Sequence, residues 1–134
     1  MASRIEGGRG QSSVEFALIA MLTLALIFGI MQSALAIYAY NFVAYAARSA
    51  CRYATVHGAN SSQPATSSSI QSYVTGLVVA LDPNQIAVSS SWSPDTTPGS
   101  IVTVNVTYRF EPFATFAWSG NLPLSSTATG VISN

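Results

Sequence analysis

From Phe16 to Ala47 the chain carries no Asp, Glu, Lys or Arg, and Phe16 to about Tyr38 is dense in Leu, Ile, Ala, Met and Phe. Wound as a helix, the stretch 16–38 is about 34 Å long, enough to cross a hydrocarbon core of roughly 30 Å. The helical pattern continues beyond it. Residues 37–56 contain no Pro or Gly, and Tyr38, Phe42, Tyr45, Ser49, Arg52 and Val56 recur at steps of three and four, drawing one face of a continuing helix. Tyr38 and Tyr40 fall where the apolar run ends, at the level where amphipathic rings favour the membrane–water boundary. His57-Gly58 is the expected stop, with Gly58 suited to a left-handed conformation past the helix end.

Residues 58–69 shift to Ser, Ala, Thr, Asn, Gln and Pro and read as a linker or mobile loop. Ile70, Tyr73, Val74, Leu77, Val78 and Leu81 then form one apolar stripe, preceded by serines able to cap and followed by Asp82-Pro83 as a stop. They predict a short amphipathic helix that lies on something. Ile86, Val88, Ser90 and Trp92 alternate with Ala87, Ser89 and Ser91. After a turn-rich segment, Val102, Val104, Val106, Tyr108 and Phe110 alternate with Thr103, Asn105, Thr107 and Arg109. The two runs predict an antiparallel hairpin, with a third strand around residues 126–132. Phe113, Phe116 and Trp118 are expected in the core more than in a contact surface. The predicted class is α+β: a long N-terminal helix, transmembrane in its first half and exported in its second, then a short amphipathic helix and a small antiparallel sheet.

Charge adds topology. Arg4 and Arg9 precede the span and the next arginine is Arg48, so the positive-inside rule places the N-terminus in the cytoplasm and the bulk of the chain outside. The apolar run exceeds the roughly 7–15 residues of a signal-peptide core and lacks a clear small-residue cleavage site before a polar start, so a retained anchor is expected. Beyond the span, Arg48, Arg52 and Arg109 balance Asp82, Asp95 and Glu111, which leaves no basic surface for nucleic acid and no acidic tail. Arg48 and Arg52, one turn apart, read by default as a solvated face, with lipid head-group or partner contact as the alternative.

Candidate chemistry is sparse. The lone cysteine, Cys51, leaves an intermolecular bridge, a free thiol or a buried small hydrophobe, of which the last two are favoured. Cys51 and His57 are about 120° apart around a helix with no third group to orient them, so they do not make a nucleophile pair. His57 reads as a solvent-facing helix end. Two Cys or His residues do not satisfy a structural zinc site, and no Gly-rich phosphate loop follows a strand. Asn60-Ser61-Ser62 and Asn105-Val106-Thr107 fit a glycosylation pattern that chance readily supplies in a Ser/Thr-rich chain. No catalytic residue, metal or cofactor is expected.

One carboxylate, Glu15, sits at the mouth of the apolar run, where it is costly unless it has a role. Its bland reading is a helix-start acid favoured by the helix dipole. The register Gly10-Gln11-Ser12-Ser13-Val14-Glu15-Phe16 resembles the class III signal of type IV pilin-like proteins, in which a polar leader ends in Gly and the mature chain has Glu at its fifth position. Gly7 and Gly8 do not place an acid in that register. With Arg9-Gly10, Val14-Glu15-Phe16-Ala17, Phe28-Gly29-Ile30 and Ala46-Ala47-Arg48-Ser49-Ala50-Cys51-Arg52-Tyr53-Ala54, the first half of the chain resembles the TadE-like pseudopilins of the tight-adherence (Flp, type IVc) pilus system.

That resemblance implies a leader 1–10, a long helix 11–57 with its membrane segment at about 16–38, a linker 58–69 and a small exported domain 70–134 of pilin-like build. It implies cleavage between Gly10 and Gln11 by a prepilin peptidase, and assembly through Glu15 and Phe16. The partners it implies are pilin or pseudopilin subunits packed along the apolar helix, an inner-membrane pilus assembly platform and membrane lipid. The protein is expected in a bacterial inner membrane, or carried from it into an extracellular pilus, as a non-enzymatic minor pilin or pseudopilin. The rival expectation is an uncleaved single-pass protein whose exported domain binds a ligand or a cell-wall component.

Overall fold

The computed structural model describes residues 8–112 and 120–133, and the chain divides into two units, one ending at Leu35 and one beginning at Ala36. In order the elements are α1 (Gly8–Val56), α2 (Ser67–Gly76), a single 3-10 turn (Pro83–Gln85), β1 (Ile86–Ser93), β2 (Ile101–Phe110) and β3 (Leu122–Val131). This is the expected α+β fold: a long apolar helix, a short helix and a three-stranded antiparallel sheet in the order β1-β2-β3. Phe113, Phe116 and Trp118 lie outside the described residues.

The first unit is the apolar part of α1. Its large side chains, Phe16, Leu18, Met21, Leu22 and Ile30 among them, are exposed. The Thr23 and Ser33 hydroxyls donate to the carbonyls four residues back, Ile19 at 2.8 Å and Gly29 at 2.9 Å. This is how a polar side chain on a helix satisfies itself where water is scarce. The helix begins at Gly8, three positions before Gln11.

The second unit is built on β2. Val102, Val104, Val106, Tyr108 and Phe110 are buried, as the period of two requires, and Ile86 of β1 joins them. Register places Trp92, Val102 and Gly130 in one row, then Ser90, Val104 and Ala128, then Val88, Val106 and Ser126. β3 therefore offers small side chains on the inner face. β3 begins at Leu122 rather than near residue 126, and Pro123 does not interrupt it because β3 is an edge strand.

The small inner face of the sheet is matched by a small face on α1. Ala39, Phe42, Val43, Ala46, Ala47, Ala50, Cys51 and Ala54 are buried, whereas Tyr38, Tyr45, Arg52 and Val56 are exposed. Of the face drawn by the larger residues, Phe42 is the member that turns fully inward. The alanines win because they let the helix approach: a Cβ on Gly130 would lie 2.7 Å from Thr55 Cγ2 and 3.0 Å from Cys51 Sγ. α1 stops at Val56, where His57 Nδ1 donates to the Tyr53 carbonyl at 2.9 Å and so satisfies one of the last carbonyls. Gly58 does not take the left-handed conformation expected of it; it is buried instead.

The segment expected as a loose linker is tied down. Ala65 is buried and its N–H donates to the His57 carbonyl at 2.7 Å, while the Ala59 N–H donates to Thr96 at 2.9 Å. Thr66 closes a capping box with Ser69, which starts α2 at Ser67. Ile70 and Val74 are the buried part of the predicted stripe, and α2 ends at Gly76, short of Val78 and Leu81. Ala80 then adopts a left-handed backbone, and Asp82-Pro83 opens the 3-10 turn rather than stopping α2.

Candidate functional site: the apolar helix and its start

Gly10, Gln11, Glu15 and Phe16 lie in the first turns of α1, and all are exposed. Four positions separate Gln11 from Glu15, so the helix sets them on one face about a turn apart. Phe16, 74% exposed, begins the apolar surface immediately after the acid. Apart from its chain neighbours and its own helix backbone, no described atom lies within 4 Å of where a Cβ on Gly10 would stand. The Gly10–Gln11 peptide is itself within the helix, held by a first turn that Gly8 and Gly10 weaken. α1 is long and apolar enough to cross a membrane, and its most apolar stretch buries nothing within the protein.

Two open niches formed by described residues of the second unit touch Arg52. One, of about 270 Å³, is lined by Arg48, Cys51, Arg52, Thr55, Thr129 and Gly130. The other, of about 470 Å³, is lined by Tyr45, Ser49, Arg52, Tyr53, Val56 and Tyr73. Tyr53 stacks between His57 and Tyr73 with ring centroids 4.2 Å and 4.8 Å away, clasping the end of α1 to α2. His57 is thus half-buried in a stack rather than facing solvent. Tyr38 is exposed, and its hydroxyl donates to the Val79 carbonyl at 2.9 Å.

Cys51 is a free, buried thiol. Burial raises its pKa, which keeps it protonated and poor as a nucleophile. Among the described residues no group of three or more His, Cys, Asp or Glu side chains could hold a metal ion. Asp95 is engaged within its own turn: its carboxylate accepts from the Thr97 backbone and hydroxyl and from the Ser100 hydroxyl, bonds that lower its pKa. Neither niche was foreseen in the sequence, because each joins residues far apart along the chain.

The fold and the exposed helix define a class: an α+β protein with one N-terminal helix suited to a membrane. Within that class the helix itself is the informative part: residues 10–52 match the model of the TadE-like protein family. The match starts at the glycine of the Gly10-to-Glu15 register, runs through the apolar segment and ends at Arg52, before the sheet. No curated protein and no solved structure matches the chain.

Proposed function

We propose that the chain is a minor pilin or pseudopilin that assists assembly of a tight-adherence pilus or its secretion apparatus, anchored by α1 and processed by a prepilin peptidase. The observation that carries this reading is the family match beginning at Gly10, on a helix whose apolar side chains are left uncovered by the protein itself. Cleavage after Gly10 frees the amine of Gln11 as a cation. Glu15, one turn further on, pairs with that amine in its own chain or in a neighbouring subunit, and the pair relieves two charges that lipid solvates poorly. In the uncut chain the same nitrogen is a neutral amide and Glu15 lacks that partner. The Leu, Ile and Phe surface then packs against the equivalent helices of other subunits, while the domain from Ala36 onward lies outside the membrane.

Intact mass of the membrane-extracted protein tests the processing step. A mature chain starting at Gln11 is expected in cells with a working prepilin peptidase, and a retained Met1 or Ala2 in those cells overturns it. Glu15→Ala separates cleavage from assembly: the variant is cut normally and piliation falls, whereas wild-type piliation takes the assembly role away from Glu15.

A further inference from the structure

The two edges of the sheet are treated differently. Along β1, the Gln71 side chain of α2 occupies the edge: its amide oxygen accepts from the Val88 N–H at 3.1 Å and its amide nitrogen donates to the Ile86 carbonyl at 3.4 Å. One side-chain amide thereby imitates a passing strand. Among the described residues, no strand pairs with β3 on its far side. At its end the Ile132 N–H donates inward to Ser100 at 2.9 Å and the Ser133 N–H donates away from the sheet, to Thr55 of α1 at 3.0 Å. Alternate residues of a strand turn their N–H and C=O to opposite sides, so this phase directs the backbone of Ser125, Thr127, Thr129 and Val131 to the open edge. Pro123, which has no N–H to offer, falls in the same phase.

Beside that edge stands the 270 Å³ niche with Arg48 and Arg52 on its wall. Both side chains are exposed, and among the described residues neither guanidinium has an ion pair or hydrogen bond. Two like charges one turn apart on a helix repel, and a shared anion relieves them. The domain's own acids are occupied elsewhere. Asp95 is held by Thr97 and Ser100, Asp82 accepts from the Asn84 backbone, and Glu111 accepts from Asn121.

We propose that this niche docks an extended, acidic peptide segment of a partner protein, which pairs with the open edge of β3 and places an Asp or Glu side chain between Arg48 and Arg52. Strand addition supplies the main-chain bonds, and the carboxylate sets register and choice of partner. The niche favours a peptide over a lone phosphate because its second wall is β3, where Thr129 turns its N–H and C=O to the open edge in phase with Ser125, Thr127 and Val131, a spacing that fits another backbone. The inference does not depend on cleavage of the leader.

The test uses the full chain in nanodiscs of zwitterionic lipid, panned against a random heptapeptide display library. Selected peptides are expected to carry an Asp or Glu flanked by Val, Ile or Thr and to lack Pro. Their affinity is expected to fall about tenfold or more on Arg48→Gln or Arg52→Gln, the scale of a lost charge-assisted contact. Backbone N-methylation of the peptide is expected to abolish binding, and both arginine variants are expected to melt like the parent because the side chains are exposed. Failure to select any binder, selection without acidic enrichment, or unchanged affinity in both variants overturns the proposal. So does binding to vesicles containing anionic phospholipid that is lost in the arginine variants while no peptide binds, an outcome that makes the niche a membrane contact.

Discussion

Gly130 lies beneath Cys51 and Thr55 with no room for a methyl group, and Gly130→Ala is therefore a test of how closely helix and sheet are packed. The added Cβ meets Thr55 Cγ2 at 2.7 Å, so the structure must shift, at about 1–3 kcal/mol. The expected result is a lower melting temperature for the full chain in detergent. Thr55→Ser in the same background removes the opposing methyl and recovers part of the loss, a coupling that distant sites do not show. Asp95 supplies a pH-dependent counterpart. Its pKa is lowered in the folded chain by hydrogen bonds from Thr97 and Ser100, so its contribution is complete above the unfolded value of about 3.9 and is lost as pH falls through the folded one. An NMR titration of the Thr97 amide should give a midpoint below that of an unstructured aspartate, and a midpoint at or above the ordinary value contradicts the turn. That Gly10, Gln11, Glu15 and Phe16 fall together near the start of α1 was legible at this scale because they are neighbours in the chain.

At the scale of elements, legibility followed how far each pattern depended on partners elsewhere. β2 was plain, because Val102, Val104, Val106, Tyr108 and Phe110 announce a buried face by their own alternation. The second half of α1 was half legible. Its helical period was visible, but large residues drew attention to one face, while it is the alanine face that is buried, on a helix that closely approaches Gly130. α2 was shorter than its stripe, since Gly76 and the left-handed Ala80 end it before Val78 and Leu81 can follow in phase. The guard on the β1 edge was invisible, because a Gln in a helix says nothing of strand backbone fifteen or more residues away. Gln71→Ala should expose its consequence. Loss of the bonds to Ile86 and Val88 leaves a part-buried edge unsatisfied, at about 1–3 kcal/mol. A lower urea midpoint is expected, together with concentration-dependent aggregation through the uncovered edge. A variant as stable and as soluble as the parent shows that the edge needs no cover.

At the scale of the whole molecule, the sequence reads as a long helix 11–57, a linker 58–69 and a small exported domain 70–134. The structure instead starts the second compact unit at Ala36. The reason is physical: β2 and its neighbours bury one face of the sheet, and α2 contributes just Ile70 and Val74 as fully buried residues. Among the described residues, a larger buried set lies on the second half of α1: Ala39, Phe42, Val43, Ala46, Ala47, Ala50, Cys51 and Ala54. A domain cut from the helix would expose Val102, Val104 and Val106 to water, each worth about 1.5–3 kcal/mol of burial, against a total stability of about 5–15 kcal/mol for a typical domain. Two truncations distinguish the boundaries. A fragment of residues 36–134 keeps the alanine face and is expected to melt cooperatively, with native near-ultraviolet circular dichroism and the Tyr53 ring stack intact. A fragment of residues 58–134 loses that face and is expected to be aggregated or to show no cooperative transition. Cooperative folding of the shorter piece would show that the domain does not need the second half of α1. Failure of the longer piece alone would mean that the apolar residues before Ala36 stabilise the domain, a role the boundary at Leu35 does not give them.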